Sequence, residues 1–123
     1  MRYALVLCAV VLVALAVRPK VTCASSTKCL AYRAAVKSDL RYLGAGQQEF
    51  ARDHSRYAET LSELPDFQPS LGVGITILAS TETGLLVEGL HEKWPWGRCV
   101  MAAGSFAGDS LPPWTPTCTG RVR

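Results

Sequence analysis

TKCLAYRAAVKSDLRYLGAGQQEFARD, from Thr27 to Asp53, is the stretch on which the fold turns. Val36, Leu40, Leu43 and Phe50 recur in it at spacings of four, three and seven, with Gln47 at the missing heptad position. That spacing places them on one stripe of a helix. A helix of about 25 residues would be roughly 40 Å long. A chain of 123 residues has little else to cover it with. The stripe needs a sheet of its own or a neighbouring subunit, which points toward assembly. Ser25, Ser26 and Thr27 offer N-caps for this helix. Gly44 and Gly46 weaken its middle by about 1 kcal/mol each against alanine. A bend, a close contact or plain tolerance would account for them.

Length allows one domain with one modest core. The formal charge of +3 is misleading. Arg2, Arg18 and Lys20 are basic, no acid occurs before Asp39, and after Ala24 ten basic residues face ten acidic ones. The body is close to neutral and lacks the basic footprint of a nucleic-acid binder, so no nucleic-acid partner is expected.

Residues 1–24 read as a signal peptide or a short membrane anchor. Ala4 to Val17 is an uninterrupted apolar run of fourteen residues behind Arg2. A span needs about 20 apolar residues, whereas a secretory h-region is shorter. Thr22-Cys23-Ala24 fits a signal-peptidase cut before Ser25, while Arg18 and Lys20 favour retention as an anchor. Either outcome exports the body. Val21-Thr22-Cys23 is a poor match to a lipoprotein signal.

Five cysteines fit an oxidising compartment. Cys8 lies in the apolar run and acts as a small hydrophobe. Cys99 and Cys118 enclose eighteen residues. A bridge between them would stabilise by roughly 3 kcal/mol through loop entropy. A cut before Ser25 would remove Cys23 and leave Cys29 unpaired. Retention would allow a second bridge, though not with both cysteines in one regular helix, where six residues separate them by about 9 Å. A metal site of Cys23, Cys29, Cys99 and Cys118 competes with this reading, but the spacings match no common zinc pattern.

Beyond the helix, Asp53-His54-Ser55-Arg56 is a polar break. Tyr57, Leu61 and Leu64 predict a short helix or turn, ended by Pro65 and Pro69. Val73, Ile75 and Ile77 alternate with Gly74, Thr76 and Leu78 as in a strand. Ser80 to Gly84 is a turn, Leu85 to His91 a second strand, Trp94-Pro95-Trp96-Gly97 a second turn, and Arg98 to Ala103 a third strand. Gly104 to Cys118 is loop-like. The predicted class is α+β: a long N-terminal helix (about 27–53) packed on a small antiparallel β-meander (about 72–103), with a C-terminal disulfide-closed loop within 104–123. Residues 25–123 would form this head domain.

This layout resembles a type IV pilin or pilin-like (pseudopilin-like) protein. Thr27-Lys28-x-x-Ala31-Tyr32-x-Ala34-Ala35-x-Lys37-Ser38-Asp39-Leu40-Arg41-x-Leu43 is similar to the segment just beyond the membrane-spanning part of many bacterial pilins. Asp53 to Tyr57 resembles their D-N-G-x-Y turn, with His54 and Ser55 in place of Asn and Gly. Tyr57-x-x-x-Leu61-x-x-Leu64 continues in the same order. Phe67-x-Pro69-Ser70-x-Gly72-Val73-x-Ile75-Thr76-Ile77 looks like their lead-in to the first strand, and the late cysteine pair like their disulfide loop. The resemblance runs from Thr27 to Cys118. It implies a structural or accessory subunit of a type IV pilus-like or type II secretion-like assembly, with other pilin-like subunits as partners and the N-terminus as a membrane anchor. The N-terminus departs from the family. No glycine precedes Gly44, the peptidase motif is absent, and so is the glutamate that in the family pairs with a neighbour's amine inside the apolar segment.

Arg33, Lys37 and Arg41 recur every four residues. Such a basic stripe contacts anionic lipid, or an acidic neighbour such as Glu49 or Asp53 of another copy, or is a solvated helix face. Trp94, Trp96 and Trp114 flank the C-terminal loop, where they either bind a sugar or a partner or pack beneath the disulfide loop. His54 and His91 show no metal-ligand spacing. Glu88 and Glu92 are a weak carboxylate pair. No nucleophile elbow, P-loop or dinucleotide fingerprint occurs. The expectation is a non-enzymatic protein without cofactor or metal, or, as the alternative, a soluble secreted binding module that does not polymerise.

Overall fold

The computed structural model describes Cys23 and residues 25–122. The leader or anchor of residues 1–22, with Arg2, Cys8 and the apolar run, and Ala24 of the possible cut lie outside the described residues. One long helix, α1 (Ser26–His54), precedes a four-stranded antiparallel sheet of β1 (Val73–Ser80), β2 (Gly84–His91), β3 (Trp94–Gly104) and β4 (Thr117–Thr119) in the order β1-β2-β3-β4. This is an α+β fold.

The start of α1 follows the cap signal. Ser25 is extended and its side chain accepts from the Lys28 N–H at 3.3 Å. The helix ends at Ser55, whose φ of 58° is left-handed and whose N–H donates to Ala51 O. Glycine is the usual residue for that conformation, and Ser55 stands where the resembled turn carries one. Val36, Leu40 and Leu43 are fully buried, and Phe50 is partly buried against the same core. Burial of each such aliphatic side chain contributes roughly 1.5–3 kcal/mol. The sheet supplies Ile75, Leu85, Val87 and Met101 to that core.

Helix and sheet meet tightly at two glycines. A methyl on Gly44 would meet Met101 at 3.1 Å and Trp114 at 3.2 Å, and one on Gly89 would meet Val36 at 2.6 Å. Gly44 is therefore a contact glycine. Gly46 meets nothing and is merely tolerated.

The sheet corrects two sequence expectations. The Trp94–Gly97 segment is strand, not turn; the β2–β3 hairpin turns at Glu92-Lys93, with His91 opposite Trp94. Pro95 had suggested a turn because it cannot donate to a ladder. It is accommodated because the β2–β3 register shifts at this point, between Gly89 and His91. The tail is also not all loop. Thr117–Thr119 adds a fourth strand that places Cys118 directly opposite Cys99. Three residues are too few to show alternation. The expected short element after the helix is a 3-10 turn, Leu61–Glu63.

Both cysteine pairs are closed. Cys99–Cys118 has a Cα separation of 4.0 Å and Cys23–Cys29 one of 5.2 Å. The second bridge forms because Cys23 lies outside the helix while Cys29 lies in its first turn. Four cysteines paired in this way offer no thiolates, so the four-cysteine metal site does not form. A cut before Ser25 removes Cys23 only if it precedes formation of this bridge; once the bridge is closed, it would hold the cleaved segment to the domain. Two disulfides fit an oxidising, extracytoplasmic environment. Among the described residues, no helix is long and apolar enough to cross a membrane.

Candidate functional site

The core stripe continues past Leu43 in polar form. Gln47 is fully buried, and its amide both donates to Ala58 O (3.0 Å) and accepts from Ala58 N (2.8 Å). Both ends of the amide are satisfied, which removes the cost of burying it. The heptad position that looked vacant thus ties the helix to the segment returning beneath it. Asp39 was not singled out in the sequence. It is buried and accepts from Ser70 N at 2.7 Å and Ser70 Oγ at 2.9 Å. Its signal was an acid beside the apolar stripe with a Pro-Ser lead-in later in the chain.

The tryptophans divide. Trp94 is fully buried, so it is not a surface contact. Its Nε1 and that of Trp96 both donate to Arg121 O at 2.5 Å. They secure the chain end, and the Arg121 guanidinium lies 5.9 Å from the Trp96 ring centroid. Trp114 is partly buried over Gly44 and meets the Tyr57 ring edge-on at 5.8 Å. All three therefore pack around the tail. Trp94 and Trp96 thus bond to the chain beyond the disulfide loop, and Trp114, within the loop, packs on α1 at Gly44.

The two histidines and the two glutamates form no catalytic constellation. His91 is buried against Tyr32, with ring centroids 4.4 Å apart, and its Nδ1 accepts from Lys93 N at 3.0 Å. Burial, opposed by Glu92 and assisted by Lys93, lowers its pKa from the ordinary value. His54 is exposed and stacks on Phe50 at 3.9 Å. Glu88 pairs with Arg98 at 2.5 Å, across the sheet surface. Among the described residues, no group of three or more His, Cys, Asp or Glu side chains is set to hold a metal.

The structure presents two surface features along α1. Arg33 and Lys37 are half-buried and Arg41 is exposed, with no ion-pair partner among the described residues. The second feature is a groove of about 570 Å³ between the latter half of α1 and residues 63–67. Phe50, Leu64 and Phe67 line it, and Tyr42, at 72% exposure, stands at its edge. Glu49, Asp53 and Asp66 supply carboxylates. Sequence reading had no means to find this groove, because its far wall is a loop joined to the helix only by folding.

Arg56 does not line the groove but is tied to two residues that do, Glu63 and Phe50. It pairs with Glu63 at 2.7 Å and lies 5.1 Å from the Phe50 ring centroid. The hydrogen bond from Arg56, joined by one from Glu59 N, lowers the Glu63 pKa to about 2. An aromatic floor with a carboxylate rim suits a cationic side chain with an apolar stem.

No protein-family model matches the chain, and no curated protein matches it.

Proposed function

We propose that this chain is an exported, non-enzymatic, pilin-like protein: a structural or accessory subunit of a type IV pilus-like or type II secretion-like assembly. The observation that carries the reading is one helix, Ser26–His54, laid on an antiparallel sheet whose last strand is fastened by Cys99–Cys118. The first resembling segment, Thr27 to Leu43, lies within that helix, and Val73, Ile75 and Ile77 lie in the first strand. In this reading the head domain positions surfaces for contact with other subunits, and the two bridges preserve it outside the cytoplasm.

One observation favours the alternative, a soluble secreted module that does not polymerise. At Cys23 the chain does not prolong α1. Cys23 is bridged to Cys29, and its N–H donates to Lys93 O at 2.8 Å. A subunit held by one helix running unbroken out of the head would need that turn opened.

The deciding experiment is the intact mass and N-terminal sequence of the protein from its native host, with its cell fraction. An intact N-terminus in the membrane or sheared-filament fraction supports the assembly subunit. A processed start in a soluble extracytoplasmic fraction supports the module.

A further inference from the structure

We propose that the groove beside the second half of α1 takes the basic flank of α1 from a second copy of this chain, so that copies join side by side, head to tail. The proposal rests on the assembly reading above and specifies its contact.

The two surfaces are complementary in charge and in length. Arg33, Lys37 and Arg41 rise in steps of about 6 Å and span about 12 Å. Glu49 and Asp53 are separated by one such step on the helix, and Asp66 stands on the other wall. Among the described residues, none of these three acids and none of the three bases has an ion-pair partner. Glu63, the remaining carboxylate of the lining, already pairs with Arg56. The floor of Phe50, Leu64 and Phe67 suits the aliphatic stems of arginine and lysine, and Tyr42 offers a ring face to the head group.

Position around the helix selects the kind of assembly. At about 100° per residue, the centre of the basic row and the centre of Glu49 and Asp53 are about 140° apart. The buried stripe of Val36, Leu40 and Leu43 lies between them on the inner side. They therefore occupy opposite flanks of one helix. A two-fold interface presents the same patch from both copies, so two opposite flanks cannot both be satisfied across it. Joining flank to groove is heterologous and leaves one free surface of each kind, so it propagates. The two centres are also displaced by about 14 residues, or about 21 Å along the axis, which sets the stagger if neighbouring helices run parallel. This contact uses only the head and works whether or not the turn at Cys23 opens.

The test is sedimentation velocity on the full chain, recovered from the exported fraction, over a range of concentration and salt. The variants are R33E/K37E/R41E and E49K/D53K/D66K, each checked for helix content and two intact disulfides. The expected result is wild-type mass growing beyond dimer with concentration at about 0.02 M salt and returning to monomer at about 1 M, where screening acts within about 3 Å. Each variant alone should associate at least tenfold more weakly, and an equal mixture of the two should recover association. Tyr42→Ala, at an exposed position that does not threaten the fold, should weaken association several-fold. Wild type that stays monomeric, growth that stops at dimer, or insensitivity to salt and to both variants would overturn the proposal. Loss of binding to anionic vesicles by R33E/K37E/R41E, with self-association unchanged, would also overturn it and assign the flank to lipid. Salt-independent association unaffected by the variants rejects the groove while leaving the assembly reading intact. A soluble, processed protein in the host rejects that reading separately.

Discussion

The two ends of α1 are secured by different means. At its start, Cys23 is bridged to Cys29 in the first turn, and Cys23 N–H donates to Lys93 O on the β2–β3 turn. At its end the helix has no bridge of its own. Gln47 holds Ala58, Arg56 holds Glu63, and Trp114 lies over Gly44. Trp114 belongs to the tail, and the tail is fastened to the sheet by Cys99–Cys118. The first end is locked directly and the second through an intermediary. Reductant, backbone changes and pH should therefore act on the two ends separately.

The largest effect is expected from removing the intermediary. Cys99→Ser with Cys118→Ser opens a bridge of sequence separation 19. Loop entropy puts the loss at roughly 3 kcal/mol. The tail from Gly104 should become open to protease, and Trp114 fluorescence should shift toward that of an exposed indole, while the helical signal persists. Unchanged proteolysis of the tail would mean that β4 and the bonds from Trp94 and Trp96 to Arg121 O are enough to hold it.

Cys23→Ser with Cys29→Ser should have a smaller effect, about 2 kcal/mol, because the loop closed is only six residues long. Hydrogen exchange should quicken in the first turn of α1 and leave the tail untouched. If the tail responds as well, the two ends are one cooperative unit and the comparison fails.

The contrast also marks how much could be read from the chain. The stripe of Val36, Leu40 and Leu43 and the alternation at Val73, Ile75 and Ile77 are periodic, and periodicity is a local property. The helix and two strands were legible for that reason. Trp94-Pro95-Trp96-Gly97 reads as a turn because proline is usually excluded from a strand; here the exclusion is relieved by an irregularity in β3 itself, where Pro95 to Arg98 stand against Leu90 alone, and that pairing exists only once β2 lies alongside. Thr117–Thr119 was missed because its strand character comes from Cys99 opposite it. Phe50 is legible as a stripe residue but not as a groove wall, since Leu64 and Phe67 reach it only after the chain turns at Ser55.

Ser55 gives a gain rather than a loss. Its left-handed backbone, φ 58°, costs an L-residue with a Cβ roughly 1 kcal/mol or more. Ser55→Gly should therefore stabilise the protein by about 0.5–1 kcal/mol, read as a rise in the urea midpoint at constant slope. The gain should be the same with Cys23–Cys29 intact or removed, since the two sites share no partner and lie at opposite ends of the helix.

The smallest effect is in pH, and it separates the two ends without any mutation. His91 sits at the start, against Tyr32, and its Nδ1 accepts from Lys93 N–H on the turn that also receives Cys23. Desolvation lowers its pKa in the folded protein below the ordinary 6.5, against the pull of Glu92. The unfolded chain therefore takes up the proton first. Stability is full above about 6.5 and falls as pH drops through that value, until the folded pKa is passed. At the other end Glu63 is lowered from 4.5 to about 2 by its hydrogen bond from Arg56. Its contribution is full above 4.5 and is lost as pH falls from there through about 2. Hydrogen exchange followed from pH 7 down to about 5 should loosen the first turn of α1 and the Glu92-Lys93 turn before the Arg56–Glu63 segment responds. His91→Asn retains an acceptor for Lys93 N–H without titrating, and it should abolish the first loosening while leaving the lower one in place. A wild-type start that is flat between pH 7 and 5 would mean that the imidazole loses nothing by charging there. The first end would then be held by the bridge alone.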